Sequence, residues 1–139
     1  MDNSLHLILA NASLVHRKRC RQCFQEMNLS EGQPKVLSSL LSNEGIVQRQ
    51  LAAICCVEPA TMTALLRKME SDGLVTKRQS IVSGGKRANC IFLTEAGREI
   101  ALAVDKVMSD TEELAFKGFS QKEQELFYEL IGRLTDNLS

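Results

Sequence analysis

His16, Cys20 and Cys23 follow one another at steps of four and three residues. On a helix, those steps stack three potential metal ligands along one side. Arg17, Lys18, Arg19 and Arg21 surround them, and neighbouring cations favour the thiolate that reacts with oxidants. The same residues share a stripe with Leu5, Leu9 and Ala12, where small sulfur side chains commonly serve as packing. Three readings therefore stand for Cys20 and Cys23: filler in a core or interface, a redox sensor, or a metal site completed by His16. The C-x-x-C spacing of "CRQC" lies inside a helical stretch, without the preceding strand that a thioredoxin-like site needs. Of the other cysteines, Cys55 is expected in the core, Cys56 partly exposed, and Cys90 half-buried on a strand. His6 is expected at a surface or interface. No nucleophile–histidine–acid set, phosphate-binding loop or dinucleotide fingerprint occurs. The chain reads as a non-enzyme, and no cofactor is implied.

A second chemistry lies in "TKRQSIVSGGKRANCIFLT", Thr76 to Thr94. Two basic pairs, Lys77–Arg78 and Lys86–Arg87, flank the glycines of a tight reversal between two strand-like runs. Cations on such a hairpin suit phosphates or a narrow minor groove. Just before it, "PATMTALLRKMES" has the spacing of an amphipathic helix. Met62, Leu65, Leu66 and Met69 form its inner face; Ala60, Thr61, Thr63, Ala64, Arg67 and Lys68 form the outer one. Small residues at the start of that helix would admit it to a major groove about 12 Å wide, where Arg can bond guanine bidentately. Each charge alone reads as ordinary solvated surface. Together they fall on the two elements that should meet DNA.

These elements need a scaffold, and the pattern supplies one. A long amphipathic helix is expected from Asn3 to about Met27, with Leu5, Ile8, Leu9, Ala12, Val15, Cys23 and Met27 on its stripe and Asn28 at its end. Ser30 and Gln33 suggest a capping box for a second helix, carrying Val36, Leu37, Leu40 and Leu41, with Pro34 in its first turn. A short third helix, about Gln48 to Cys56, should bury Leu51, Ile54 and Cys55. The fourth runs from Pro59 to Ser71, and Gly73 closes it. Leu74 to Gln79 and Ala88 to Leu93 are the hairpin strands. Thr94 caps a fifth helix bearing Ile100, Val104, Val107, Met108 and Leu114. Ser120 with Glu123 caps a sixth, carrying Leu126, Phe127, Leu130, Ile131, Leu134 and Leu138. The apolar faces of the first and last helices exceed what one core needs, which points to a homodimer interface.

The chain has 139 residues and a formal net charge of zero, with 44% hydrophobic and 24% charged residues. That composition suits a globular protein forming one domain. The charge is uneven: residues 33–98 carry nine Lys/Arg against five Asp/Glu, a net +4, and residues 99–139 carry four against nine, a net −5. Aromatic residues are only 4% and Trp is absent, which argues against base stacking. Five cysteines without regular spacing argue against a secreted disulfide framework. The apolar "LHLILANA" has an acid, Asp2, before it and the basic run after it, the reverse of a signal peptide. No apolar run could span a bilayer. A reducing cytoplasm is the expected location, with no membrane association.

Several spaced motifs resemble the MarR family of bacterial transcription regulators: "QRQLA", "ATMTALLRKMESDGLV", the wing "GKRA", and "LTEAGRE" opening the next helix. With "LSEGQPKVLSSL" and the terminal helices, the resemblance covers essentially the whole chain. It implies a mainly α fold with a small β-wing: a winged helix-turn-helix core over about 30–98, dimerisation helices at about 3–27 and 95–138, and a short β-element near Ile46. It implies a dimeric repressor on a pseudo-palindromic double-stranded operator, released by a small aromatic or phenolic effector bound between dimerisation helices and winged domain. Recognition falls to Thr61, Thr63, Arg67 and Lys68, and the wing contact to Lys86 and Arg87. Other members sense oxidants or metals, but the peroxide sensors carry their cysteine near the start of the first helix, whereas Cys20 and Cys23 lie near its end. A winged helix that binds protein instead of DNA is the other class, and it predicts binding insensitive to Arg67 and Arg87. Two departures stand out: Gly85 occupies the place of the family's wing Asp, and Val47 the place of a Ser/Thr cap.

Overall fold

Local signals place most element ends. The computed structural model describes residues 3–139; Met1 and Asp2 of the signal-peptide argument lie outside them. The order is α1 (Leu5–Glu26), α2 (Gln33–Ser42), α3 (Gln48–Ile54), α4 (Pro59–Ser71), β1 (Val75–Ile81), a 3-10 turn (Ser83–Gly85), β2 (Arg87–Leu93), α5 (Glu95–Ala115) and α6 (Gln121–Leu138). Asn28, in the left-handed region at φ 60°, ends the first helical stretch. Thr94 caps α5 by accepting from the Gly97 N–H at 2.9 Å, and Ser120 and Glu123 form a complete capping box on α6. Val47 does stand at the start of α3 and offers no side-chain cap. Both hairpin strands run further toward the tip than the pattern suggested, to Ile81 and from Arg87.

The start of α2 departs from expectation. Gly32 is its N-cap, at φ 92°, and no side chain caps it. Only half of the expected capping box forms: the Ser30 N–H donates to the Gln33 side chain at 3.0 Å. Gln33 is buried, and its Nε2 finds no partner.

The core lies where α2, α3, α4, the hairpin and α5 converge. Val36, Leu37, Leu40, Leu51, Met62, Leu66, Met69, Ile91, Ala101 and Val104 are its closed centre. One expectation fails here, that of a buried Ile54. Ile54 is 51% exposed because α3 is only two turns long and turns Leu51 and Ala52 inward instead. Cys23 is exposed, because α1 meets its own chain through Cys20, Phe24 and Met27. The rest of the α1 stripe, with Leu5, Ile8, Leu9 and Val15, stays open, and α6 has no buried residue at all. At the α5–α6 corner Phe116 meets Phe119, Phe127 and Tyr128 edge-on, with ring centroids 5.3, 5.6 and 5.4 Å away. Tyr128 also donates to Glu112, which raises its pKa above the ordinary phenol value. Among the described residues no helix is long and apolar enough to cross a membrane.

One junction ties the elements together. Thr94 N–H donates to the Leu74 carbonyl at 3.0 Å and its hydroxyl to the Gly73 carbonyl at 2.6 Å. Gly97 sits so close that a Cβ there would lie 1.9 Å from the Leu74 oxygen. Backbone on backbone has no flexible end to move aside. Gly97→Ala is therefore predicted to destabilise the fold by about 2–3 kcal/mol, measured as a lower urea midpoint at unchanged slope. An unshifted midpoint would contradict this close packing.

Candidate nucleic-acid interface

Glu58, in extended backbone, and Pro59 at the first turn launch α4. Met62, Leu66 and Met69 are fully buried, with Leu65 packed beside them. That burial turns Ala60, Thr61, Ala64, Arg67 and Lys68 to the exposed side. Thr63 is half-buried, and its hydroxyl is engaged. It donates to the Pro59 carbonyl at 3.1 Å and accepts from Gln48 Nε2 at 3.0 Å. Gln48, a residue the sequence did not single out, thus bridges the start of α3 to α4, while its own Oε1 is buried without a donor. Lys68 is tied to Asp72 at 3.1 Å. Arg67 is left as the cation of this face with no ion pair among the described residues.

The hairpin register pairs Val75 with Leu93, Arg78 with Cys90 and Ile81 with Arg87. Side chains alternate along a strand, so the two members of Lys77–Arg78 point to opposite faces. Lys77 shares the face of Ile91 and Arg87; Arg78 shares that of Cys90 and Phe92. The Arg78 guanidinium lies over the Phe92 ring, 4.2 Å from its centroid. At the tip, Gly84 and Gly85 take φ 83° and 73°, a region costly for side-chain-bearing residues. Lys86 and Arg87 are exposed there and make no ion pair among the described residues.

The base of the hairpin is stapled to the α2–α3 connection. Gly45 N–H donates to the Ile91 carbonyl at 2.8 Å, and Ile91 N–H to the Ile46 carbonyl at 3.0 Å. Val47 bridges Cys90, the expected short β-element. Glu44 accepts from the Leu93 N–H at 3.3 Å and pairs with Arg98. Nothing in the local pattern marks Glu44 or Phe92, because their partners come from distant segments.

The sulfur stretch disperses. Cys20 is buried with its Sγ 3.4 Å from Thr111 Oγ1. Thr111 already donates to the Val107 carbonyl at 2.8 Å, so the Cys20 S–H is the donor between them. Cys23 and His16 are exposed. Among the described residues no three His, Cys, Asp or Glu side chains stand together as metal ligands, which corrects the three-ligand reading of His16, Cys20 and Cys23. Cys55 and Cys90 are buried and Cys56 is exposed. Beside Cys20 opens a cavity of about 520 Å³, walled by Phe24, Leu29 and Met108 and rimmed by His16, Arg17, Arg21 and Lys35. Arg17 is held by Glu31 at 3.2 Å.

Thr63→Val keeps the methyl and removes both hydroxyl bonds. It is predicted to cost about 1 kcal/mol, because the half-buried Gln48 amide loses its acceptor. Urea denaturation measures it; a loss below about 0.3 kcal/mol would show the bridge to be incidental.

The MarR family model matches residues 29–82. The HTH-type transcriptional regulator YybA of Bacillus subtilis (strain 168) is 27% identical over 115 residues, covering 83% of this chain and 75% of that protein. The transcriptional regulator HosA of Escherichia coli O157:H7 is 28% identical over 107 residues, covering 77% and 78%. A MarR family regulator from Listeria monocytogenes, crystallised with a 26mer DNA, superimposes with a TM-score of 0.84 at 25% identity, covering 99% of this chain and 90% of that one. The segment from α3 through the hairpin, the bridge at Val47 and these likenesses give the chain the winged-helix fold of MarR-type transcriptional regulators, with residues 29–82 matching that family.

Proposed function

We propose that this regulator is a homodimeric, sequence-specific repressor of double-stranded DNA. The carrying observation is that Arg67, Lys86 and Arg87 are exposed on α4 and the hairpin, with no ionic partner among the described residues. Charges that serve stability tend to be paired, as Lys68 and Arg98 are; unpaired ones remain available to phosphate. The Listeria relative holding DNA supports the same reading. Ala60, Thr61 and Ala64 would let α4 approach base edges, with Arg67 reading a base. Thr63 would offer its methyl and one remaining lone pair. Lys77, Arg78, Lys86 and Arg87 would follow the backbone beside the adjoining groove.

The second copy covers the terminal helices. Leu126, Phe127, Leu130 and Ile131 on α6 are 51%, 45%, 48% and 38% exposed, and Leu5, Ile8 and Val15 on α1 are 52%, 49% and 57% exposed. Apolar area on that scale, on a helix with no buried residue, marks an interface. Two-fold symmetry would then set the recognition helices about 34 Å apart, on half-sites of a pseudo-palindrome. The cavity beside Cys20 would take the releasing ligand, its apolar walls holding a small aromatic or phenolic ring and its basic rim an anionic group. A cytoplasmic protein without membrane association fits this role.

Fluorescence anisotropy on DNA from upstream of its own gene, against scrambled DNA across a salt series, tests the reading. A specific, strongly salt-dependent affinity is expected. Arg67→Ala should relax discrimination among operator variants by about 1–3 kcal/mol, whereas Arg87→Ala should weaken all sequences alike and lower the salt slope by about one. Equal, weak, salt-independent binding to both DNAs would refute DNA recognition. Ile131→Asp is expected to give a monomer by light scattering; a persistent dimer would place the interface elsewhere.

A further inference from the structure

A cation that must bind phosphate is best held in place by something that leaves its charge unspent. Among the described residues, four cations are held by carboxylates: Arg17 by Glu31, Lys68 by Asp72, Arg98 by Glu44 and Lys106 by Asp110. Arg78 is held differently. Its guanidinium lies 4.2 Å from the centre of the Phe92 ring, a neutral surface that attracts it through the ring quadrupole. A ring offers no acceptor that a carboxylate would, so the guanidinium keeps N–H donors for bidentate contact with phosphate.

The platform is itself fixed. Ile91 and Leu93, the residues flanking Phe92, are bonded to Gly45, Ile46 and Glu44. The ring packs against Gly45, where a Cβ would come within 3.1 Å of it. Gly45, at φ 83°, thus gives the ring its seat. Arg87, by contrast, pairs across the ladder with Ile81, itself 73% exposed, and Gly85, two residues before it, offers no carboxylate to hold it. A free arginine must be ordered at the moment of binding, and that ordering weakens the complex. Arg78 has already been ordered. At about 3.3 Å per residue it sits roughly 10 Å short of Ile81, where a hairpin entering a groove would pass the phosphates at its margin.

We propose that Phe92 is a positioning residue for DNA binding: its ring, seated on Gly45, presents Arg78 as the preorganised phosphate contact of the wing, stronger than that of the unbraced Arg87. The inference rests on the DNA-binding reading above.

A double-mutant cycle on the full chain tests it, with anisotropy across a salt series as the readout. Arg78→Ala should lower the salt slope by about one and weaken binding more than Arg87→Ala does. Phe92→Leu, which keeps an apolar side chain, should weaken binding by about 3–5-fold, in the range expected for one immobilised side chain. Phe92→Tyr should restore affinity, and Phe92→Leu should have no effect once Arg78 is Ala. Alongside, the Arg78 Nε–Hε group in the DNA-free protein should show restricted motion by NMR, released by Phe92→Leu. If Phe92→Leu weakens binding equally with and without Arg78, Phe92 is merely structural and the proposal is overturned. A larger loss from Arg87→Ala than from Arg78→Ala overturns it too. If the wild-type protein shows no salt-dependent binding even though Arg78 is rigid and Phe92→Leu frees it, the DNA reading itself is wrong, and the proposed role goes with it.

Discussion

The carbonyl of Leu74 is the point on which the architecture turns. It lies where α4 has ended and β1 begins, and it accepts from the N–H of Thr94, where β2 has ended and α5 begins. Gly97 presses against the same oxygen, and the Thr94 hydroxyl reaches the neighbouring Gly73 carbonyl. Four elements are therefore locked at a single turn: the helix proposed to read bases, both strands of the hairpin, and the long helix that leads away toward α1. Motion of α5 at this end must move the hairpin base and the end of α4 together, because the contact is backbone on backbone. The same rigidity lets a hairpin of only two long strands hold a fixed direction, with the Glu44 and Gly45 bonds as its second anchor.

Charge is distributed by a simple division. Cations that brace elements are paired with carboxylates, as Arg98 is with Glu44 across the base of the hairpin. The exposed ones contribute little to stability. On α4 and the hairpin, by contrast, only Lys68 is paired with a carboxylate among the described residues; Arg67 and Arg87 make no ion pair there, and Arg78 is held against a ring. An acidic partner would hold them as well but would cancel the field that attracts a polyanion. The net +4 of residues 33–98 against the net −5 of residues 99–139 is the large-scale form of the same division.

Apolar surface shows a second division. The core between α2 and α5 is closed, yet α6 and most of α1 keep their apolar stripes open. Between the two regions, the cavity beside Cys20 is lined from both α1 and the α2 region. A ligand there would press on the seam that joins the open helices to the winged core, and the Cys20–Thr111 contact crosses that seam. Through that contact Cys20 helps hold α1 on α5.

Much of this was legible in the chain alone, wherever the cause is local. Pro59, Gly73, Thr94 and the Ser120–Glu123 box act within one or two turns, so α4, α5 and α6 begin or end where these residues stand. The alternation of Met62, Leu66 and Met69 likewise determines which face of α4 points outward. What the chain could not show are effects whose partner lies far away in sequence. Ile54 looked like core, but a two-turn helix has room to bury only one side. Gln33 keeps its half of the capping box by accepting from the Ser30 N–H, but Gly32 took the cap and Gln33 went inside. Cys23 looked like part of a stripe with Cys20, yet a helix touching its neighbour along one line hides only one of them. Thr63 owes its engagement to Gln48, and Arg78 its stacking to Phe92. Sequence settles periodicity and caps because these depend on neighbours three or four residues away; only the packed fold decides which polar groups are free, because each commitment is made across the fold.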